Sequence, residues 1–343
     1  MRTIITALFG ILFFNSCIQV EESAPFTKVY VTPIFSDSVS IRAIEVMNGS
    51  IGFAANKGVY GIVDIATDQV KTQTIVFDSI LPHFRAVAHT TSNFFMLSVE
   101  SPALLYKTTA SGSMELVYKE EGEGVFYDAM TFVNDSTGIA VGDSVDGCLS
   151  IIRTTNGGET WTKIACDALP KGVNGEGAFA ASNTNIVAKG NTVWMATTSS
   201  TIYFSEDAGE TWQLIQTPVV NDKPTQGIYS MAFYDTKKGI VIGGDYTDPE
   251  SNIANKAVTA DGGKTWTTIA SGQNPNYKSC VQFVPNSNGD ALVALGYTGI
   301  DYSSDFGTTW QHLSDESFYT LRFVNDSVAY AAGSNRIAKL VFN

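Results

Sequence analysis

The sequence is poor in the residue types that nucleic acids, metals and many catalytic mechanisms require. Its 343 residues include only 21 Lys and Arg against 34 Asp and Glu, which gives a formal net charge of −13. Binding to nucleic acid or to an anionic membrane needs a basic surface, so this balance argues against both. Three scattered histidines and four cysteines supply little for a zinc site, and no P-loop, G-x-S-x-G or H-E-x-x-H motif occurs. We therefore expect no metal, no cofactor and no nucleic-acid partner.

The sequence also lacks an apolar run long enough to cross a membrane. Residues 4–14 form a run of eleven residues after Met1 and Arg2, whereas a spanning helix takes about 20. A short basic start, an apolar run and a small residue predict a signal peptide over residues 1–16. The mature protein is therefore expected to be exported.

The segment Phe14–Cys17 resembles a bacterial lipobox, in which the cysteine is acylated and becomes the new N-terminus. Ser16 and Cys17 fit that pattern, whereas Phe14 and Asn15 depart from it. The resemblance implies lipid attachment at Cys17, a polar tether over residues 17–25, and a location in the bacterial periplasm or on the cell surface. The alternative is an ordinary signal peptide followed by a chance cysteine.

Aromatic residues and glycine are plentiful, and they occur in a repeating pattern. The 20 Phe, 14 Tyr, 5 Trp and 30 Gly are typical of strands joined by tight turns. Four segments follow the template S/T-x-D/N-x-G-x-T-W: Thr154–Trp161, Ser205–Trp212, Thr259–Trp266 and Ser303–Trp310. Their acidic or amide positions and their tryptophans are Asn156, Asp207, Asp261, Asp305, Trp161, Trp212, Trp266 and Trp310.

Each of these segments predicts a hairpin turn. The Asp or Asn side chain accepts hydrogen bonds from backbone amides two or three residues on, glycine takes a positive φ, and the tryptophan packs back over the hairpin. The template resembles the Asp-box, or BNR repeat, which implies a structural role for these residues at the periphery of a β-propeller.

A second pattern sets the size of the repeating unit. An aromatic or apolar residue, a turn, and a run of glycine and small apolar residues recur with anchors at 46, 89, 132, 180, 233, 283 and 323, about 46 residues apart. Four short strands per unit predict one all-β domain over residues 26–343, a seven-bladed β-propeller of four-stranded antiparallel blades. The segment 26–35 is expected to complete the last blade as its outer strand and so close the ring.

The combination of F-x₅-G-x-A-V-G with the T-W turn resembles the photosystem II assembly and stability factor (Ycf48-like) family. It is seen in Phe132–Gly142, which precedes the first turn segment. The resemblance implies a scaffold that binds partner proteins and is not an enzyme. The arginine patch of that family is not apparent, since only five arginines follow residue 16.

Propellers usually bind ligands at the central channel, where the innermost strands begin. The position four residues before each anchor gives a predicted ring of Arg42, Arg85, Asp128, Glu176, Tyr229, Ser279 and Tyr319. The arginine pair could hold a carboxylate or phosphate, and the two acids could bind hydroxyls or lysine. The alternative is that these are ordinary polar residues at strand starts, facing water.

The favoured function is a monomeric, non-enzymatic scaffold that binds a protein or glycan in the cell envelope through Arg42, Arg85, Asp128, Glu176, Tyr229 and Tyr319. The alternative is a glycoside hydrolase. Asp-box propellers include the sialidases, a more distant resemblance, and Asp128, Glu176 and Tyr229 could then be catalytic.

Cys148 and Cys166 lie symmetrically about the turn at Asn156–Gly158, so they would face each other in a regular hairpin. Export makes their oxidation to a disulfide feasible.

Overall fold

The computed structural model describes residues 25–343, so the predicted signal peptide and the lipidation site Cys17 lie outside the described residues. Nearly all the regular secondary structure of the described chain is β-strand, and the strands are joined by turns and loops. Their bounds are β1 (Val29–Met47), β2 (Ser50–Ala55), β3 (Val59–Asp64), β4 (Val70–Thr74), β5 (Phe84–His89), β6 (Phe94–Ser98), β7 (Ala103–Thr108), β8 (Met114–Glu120), β9 (Tyr127–Phe132), β10 (Gly138–Val145), β11 (Cys148–Thr154), β12 (Thr162–Lys163) and β13 (Ile186–Lys189). The second half of the chain adds β14 (Thr192–Ala196), β15 (Thr201–Ser205), β16 (Gln213–Gln216), β17 (Gln226–Phe233), β18 (Gly239–Asp245), β19 (Lys256–Thr259), β20 (Thr267–Thr268), β21 (Cys280–Phe283), β22 (Leu292–Gly296), β23 (Gly299–Ser303), β24 (Gln311–Ser314), β25 (Thr320–Phe323) and β26 (Val328–Phe342). One short 3₁₀ helix spans Cys166–Ala168.

The strands form six antiparallel sheets, which are the blades of a β-propeller. Five blades have four strands each, in the orders β5-β6-β7-β8, β12-β11-β10-β9, β13-β14-β15-β16, β17-β18-β19-β20 and β21-β22-β23-β24. The sixth has six strands in the order β25-β26-β1-β2-β3-β4. Buried side chains of neighbouring sheets pack together; Ala88 of β5, for example, shares one apolar cluster with Ile152 of β11. In the described range 25–343, no helix is long and apolar enough to cross a membrane.

The predicted count of seven separate four-stranded blades is wrong, because the first and last sequence units share one sheet. Strand β1 is 19 residues long and pairs with both neighbours. Its first part lies antiparallel to β26, with Val29 opposite Phe342, and its last part pairs with β2, with Met47 opposite Ser50. A repeat count taken from sequence could not show this, since it assumes that a strand ends where a unit ends.

The start of the described chain does pair with its end, as expected. The carbonyl oxygen of Asn343 accepts hydrogen bonds from the amides of Thr27 and Lys28, at 2.7 and 3.0 Å. The ring of Phe26 lies 5.1 Å from that of Phe342 and 4.8 Å from that of Tyr302. These contacts join the two ends of the described chain, so the ring is closed by backbone pairing and by an aromatic cluster.

The four T-W segments adopt one hydrogen-bonding pattern. In the segment that begins at Ser205, the hydroxyl oxygen of Ser205 accepts the amide of Gly209 at 2.9 Å, and Oδ1 of Asp207 accepts the amide of Thr211 at 2.9 Å. The same oxygen also accepts the amide of Glu210, three residues on as expected, at 3.1 Å, so the acceptor serves amides three and four residues on. Hydrogen bonds from the Thr211 hydroxyl and amide outweigh the effect of burial and lower the pKa of Asp207 to about 2.

The tryptophans of these segments pack differently from the prediction. Each lies in an apolar cluster with side chains of the preceding blade, rather than only over its own hairpin. Trp161 of the β11–β12 turn, for example, meets the ring of Phe95 of β6 edge-on, with ring centroids 6.3 Å apart. The segments therefore attach each blade to the one before it.

The structure joins Cys148 and Cys166 in a disulfide, with a Cα–Cα distance of 5.7 Å. The two residues are not cross-strand neighbours, because β12 ends at Lys163 and Cys166 begins the 3₁₀ helix. The bond therefore ties the start of β11 to that helix.

Candidate functional site

A short segment of the chain fills the centre of the propeller. The first strands of the sequence units, β1, β5, β9, β13, β17, β21 and β25, lie side by side around the axis. Residues 181–184, which precede β13, are buried among them. We call these four residues the plug.

The plug forms hydrogen bonds to each of the five other blades. The amide of Asn183 donates to the carbonyl of Val87 in β5 at 2.8 Å, and its oxygen accepts the amide of Met130 in β9 at 2.9 Å. The remaining bonds join Ser182 to Ser279 and Thr320, Thr184 to Ser230 and Met231, and Ala181 to Arg42. The polar groups of the plug thus find partners in the protein, and the plug separates the two ends of the axis.

A cavity of about 450 Å³ lies at one end of the axis, and we call it the Arg–Tyr cavity. Its floor includes Ala181 of the plug. It is lined by Arg42, Arg85, Phe179, Ala180, Ala181, Tyr229, Tyr246, Tyr277, Ser279, Tyr297 and Tyr319. Five of the seven predicted ring positions are in this set, so the structure brings both arginines and both tyrosines of the predicted ring together.

The two arginines of the cavity are held by weak contacts. The guanidinium of Arg42 lies 4.0 Å from the centre of the Tyr319 ring and donates to the carbonyl of Ala181 at 3.4 Å. The Nε of Arg85 donates to Nε2 of His83 at 3.2 Å. Burial and the adjacent charge of Arg42 lower the pKa of Arg85, and burial and both arginines lower the pKa of His83 to about 4. Two neighbouring positive charges therefore face this cavity beside a neutral imidazole.

The aromatic wall is stacked and rigid. The ring of Tyr229 lies parallel to that of Phe179 at a centroid distance of 3.7 Å and meets that of Tyr277 edge-on at 4.9 Å. The hydroxyl of Tyr229 donates to the carbonyl of Thr225 at 2.7 Å. Burial raises the pKa of Tyr229, as do nearby tyrosines and Asp245, so the phenolate form that a nucleophile needs is disfavoured.

Asp128 lies near this cavity but does not line it. The side chain is fully buried in β9, and within residues 25–343 neither carboxyl oxygen has a hydrogen-bond partner. Burial, together with the negative charge of Asp143, raises the pKa of Asp128 well above its usual range. Burial therefore favours the protonated form of Asp128 more than it would be favoured in an exposed aspartate.

Glu176 lies away from the ring that the sequence predicts for it. Its carboxylate accepts hydrogen bonds from the hydroxyls of Thr197 and Tyr203 and from the amide of Val173. It is only 2% exposed and does not line the Arg–Tyr cavity. The structure thus does not bring Asp128, Glu176 and Tyr229 together in one open site.

The misplacement of Glu176 follows from the plug. In the other six units, the anchor lies at or next to the last residue of the first strand. In the unit of Glu176, the anchor is residue 180, but the first strand β13 ends nine residues later, at Lys189. The corresponding ring position is Asn185, which is fully buried. The plug shifts the alignment, because its residues Ala181–Thr184 resemble the turn that follows the first strand in the other units.

Sequence reasoning missed four aromatic residues of the cavity, Phe179, Tyr246, Tyr277 and Tyr297. Tyr246 and Tyr297 are 55% and 72% exposed, and each directly follows the second strand of its blade. A second strand runs antiparallel to the first, so its end returns to the face where the first strand begins. This antiparallel geometry would have predicted that Tyr246 and Tyr297 lie at the cavity.

The comparisons with known proteins agree with the propeller fold. A family model described as Sortilin-Vps10 (Sortilin, neurotensin receptor 3) matches residues 149–280, which is less than half of the chain. No curated protein matches the chain.

Solved structures of other propellers match nearly the whole chain at low identity. One described as YCF48 bound to D1 peptide is 12% identical, with a TM-score of 0.62, and covers 96% of this chain and 100% of that one. RRP9 WD40 repeats are 11% identical, with a TM-score of 0.64 and coverages of 94% and 99%. YCF48 from Cyanidioschyzon merolae is 11% identical, with a TM-score of 0.62 and coverages of 92% and 99%. The chain is therefore similar in fold to YCF48 and to WD40-repeat proteins.

Proposed function

We propose that this protein is a non-enzymatic scaffold that binds a partner protein at the end of the propeller axis where the Arg–Tyr cavity opens. The observation that carries the proposal is the gathering of Arg42, Arg85, Tyr229 and Tyr319, from separate sequence units, around one cavity. The similar propeller YCF48 has been solved with a peptide, which supports a protein as the partner. Arginine and tyrosine are also the residue types that dominate binding energy at protein interfaces.

The rigidity of the site supports binding without a change of shape. The plug fixes the floor of the cavity, and the stacked rings of Phe179 and Tyr229 fix its wall. A preorganised surface loses little conformational entropy when a partner binds. The exposed rings of Tyr246 and Tyr297 extend the cavity toward the surface, where a partner can cover them.

A hydrolase is not proposed, because its three candidate residues do not form an active site. Glu176 is satisfied by Thr197 and Tyr203 outside the cavity, and Asp128 is sealed from solvent. A retaining or inverting glycosidase needs two carboxyl groups that reach one substrate.

The proposal extends to the cellular setting. A lipobox-like Cys17 and the preceding signal sequence support a lipid-anchored monomer in the cell envelope, and the four T-W turns support Asp-box repeats as structural elements. Metabolic labelling with a fatty acid tests the anchor. We expect label on the wild-type chain and none on Cys17→Ser, and equal labelling of both chains would contradict lipidation at this residue.

Affinity capture from the native membrane tests the proposed function. We expect partner proteins to be retained by the wild type and lost with the double variant Arg42→Ala/Arg85→Ala. The matched control is Arg153→Ala/Arg336→Ala, which removes two arginines that lie outside the cavity. Partners that stay unchanged with the first double variant would remove the proposed site.

A further inference from the structure

We propose that Arg42 and Arg85 form an anion site that takes a single carboxylate, carried next to an aromatic ring in an acidic segment of the partner protein. This inference rests on the proposed function and names the chemistry of its ligand. It follows from the charges that the cavity leaves without partners and from the rings that surround them.

The first step is a contrast among the arginines. Five arginines lie in residues 25–343, and three of them form salt bridges: Arg153 with Glu210, Arg322 with Glu45 and Arg336 with Glu316. Within the same described range, Arg42 and Arg85 form none. In a chain with a net charge of −13, acidic partners are abundant, so two unpaired arginines placed side by side indicate a site for an external anion.

The second step concerns the ionisable groups around the pair, none of which forms a salt bridge with either arginine in residues 25–343. Asp128 and Glu100 act on Arg85 from a distance, but neither forms a salt bridge with it. Asp128 is fully buried, and burial raises its pKa, which disfavours the charged carboxylate. The ring of His83 adds a hydrogen-bonding neighbour without adding charge at neutral pH. The positive charge of the arginine pair therefore remains available to a ligand.

The third step concerns what surrounds the charges. The ring of Tyr319 lies 4.0 Å from the guanidinium of Arg42, and the stacked rings of Phe179 and Tyr229 also line the cavity. Aromatic walls favour a flat apolar group by edge-to-face or stacked contact. A volume of about 450 Å³ exceeds that of an inorganic ion or a lone carboxylate. The site is therefore suited to a carboxylate together with a ring.

Capped dipeptides test this inference directly. We expect N-acetyl-Asp-Phe-amide to bind the full chain in a calorimetric or NMR titration. Removal of the charge, in N-acetyl-Asn-Phe-amide, and removal of the ring, in N-acetyl-Asp-Ala-amide, should each weaken binding by about tenfold, the typical effect of losing one charge-assisted contact or one aromatic contact. Equal binding of all three peptides would overturn the proposal.

Protein variants locate the site. Arg42→Met and Arg85→Met should each weaken the Asp-Phe peptide by about tenfold or more, whereas Arg336→Met, which lies outside the cavity, should leave it unchanged. Arg85→Lys keeps the charge but loses the planar fork, so intermediate binding is expected. Unfolding temperatures of all variants identify any that fail to fold, and binding that survives both methionine substitutions contradicts the site.

Two further ligands separate the alternatives. Tighter binding of glucuronate or phenyl phosphate than of the Asp-Phe peptide would overturn the peptide carboxylate in favour of an acidic sugar or a phosphate. If partner capture from membranes depends on both arginines while the peptide does not bind, the ligand assignment is wrong and the scaffold function stands. If the peptide binds but no protein is captured, the ligand chemistry stands and the scaffold function fails.

Discussion

Asp128 shows how one buried carboxyl group makes stability depend on pH. Its pKa is raised in the folded protein by burial and by Asp143, whereas in the unfolded chain it ionises near 4. The unfolded state therefore loses this proton first as pH rises, and the stabilisation present below pH 4 is lost progressively above it.

The substitution Asp128→Asn should remove the loss of stability that the buried carboxyl group causes above pH 4. We expect the variant to be more stable than the wild type at pH 7, and the difference to shrink toward pH 4. Thermal unfolding measured from pH 4 to 8 checks it. The exposed Asp222→Asn is the control for the loss of one carboxylate at the surface. An Asp128→Asn variant that is less stable than the wild type at pH 7 would contradict the interpretation.

At the scale of the element, glycine serves two separate purposes, seen in Gly158 of a T-W turn and in Gly112 of the turn between β7 and β8. Gly158 has a φ of +78°, and a Cβ placed there would lie 2.3 Å from the ring of Phe95 in the preceding blade. Gly112 has a φ of +80° in an open turn, where a Cβ would meet nothing within 4 Å. A comparison of substitutions at Gly158 and Gly112 therefore separates the effect of backbone strain from that of close packing between blades.

We expect Gly112→Ala to cost about 1–2 kcal/mol, which is the strain of a positive φ alone. Gly158→Ala should cost about 1–3 kcal/mol more, because Phe95 must move to admit the methyl group. Denaturant unfolding of both variants measures the difference. Equal destabilisation would show that blade contact at Gly158 contributes nothing.

The plug is a second element whose role can be measured. Asn183→Ala leaves the carbonyl of Val87 and the amide of Met130 without partners in a buried place, and each such loss costs about 1–3 kcal/mol. Asn286→Ala is the matched control, since Asn286 has the same φ of 60° but is exposed. We expect a larger fall in unfolding temperature for Asn183→Ala, with faster hydrogen exchange at the Met130 amide. Unchanged exchange there would argue against the plug as a structural centre.

Local turn chemistry could be predicted from sequence, whereas the centre of the molecule could not. The spacing from Ser205 to Trp212 contains its own hydrogen-bond partners, so the turn follows from a few residues. Asn183 instead bonds to Val87 and Met130, which are 96 and 53 residues away. No local pattern encodes such contacts, and the alignment that placed Glu176 in the ring failed at this point. Arg42 and Arg85 could be predicted because the anchors of their units lie at or next to the ends of β1 and β5, although both residues occupy bulges in those strands.

At the scale of the whole molecule, closure depends on β1 joining two sequence units in one sheet. The first part of β1 covers the edge of β26, and an uncovered edge is a template for pairing with other chains. The same contact holds Phe26 in a cluster with Tyr302 and Phe342. Loss of this segment should therefore affect both association and stability.

A chain that begins at residue 37 lacks the segment Val29–Ser36, which makes all but one of the pairs between β1 and β26, whereas a chain that begins at Pro25 retains it. We expect the shorter chain to self-associate through the exposed β26 edge and to unfold at a lower temperature, because it also loses the buried ring of Phe26. Light scattering after size-exclusion chromatography and a thermal scan measure the two effects. If the shorter chain is monomeric and its unfolding temperature is unchanged, the pairing of β1 with β26 does not stabilise the protein. The six-stranded sheet would then not be what closes the ring.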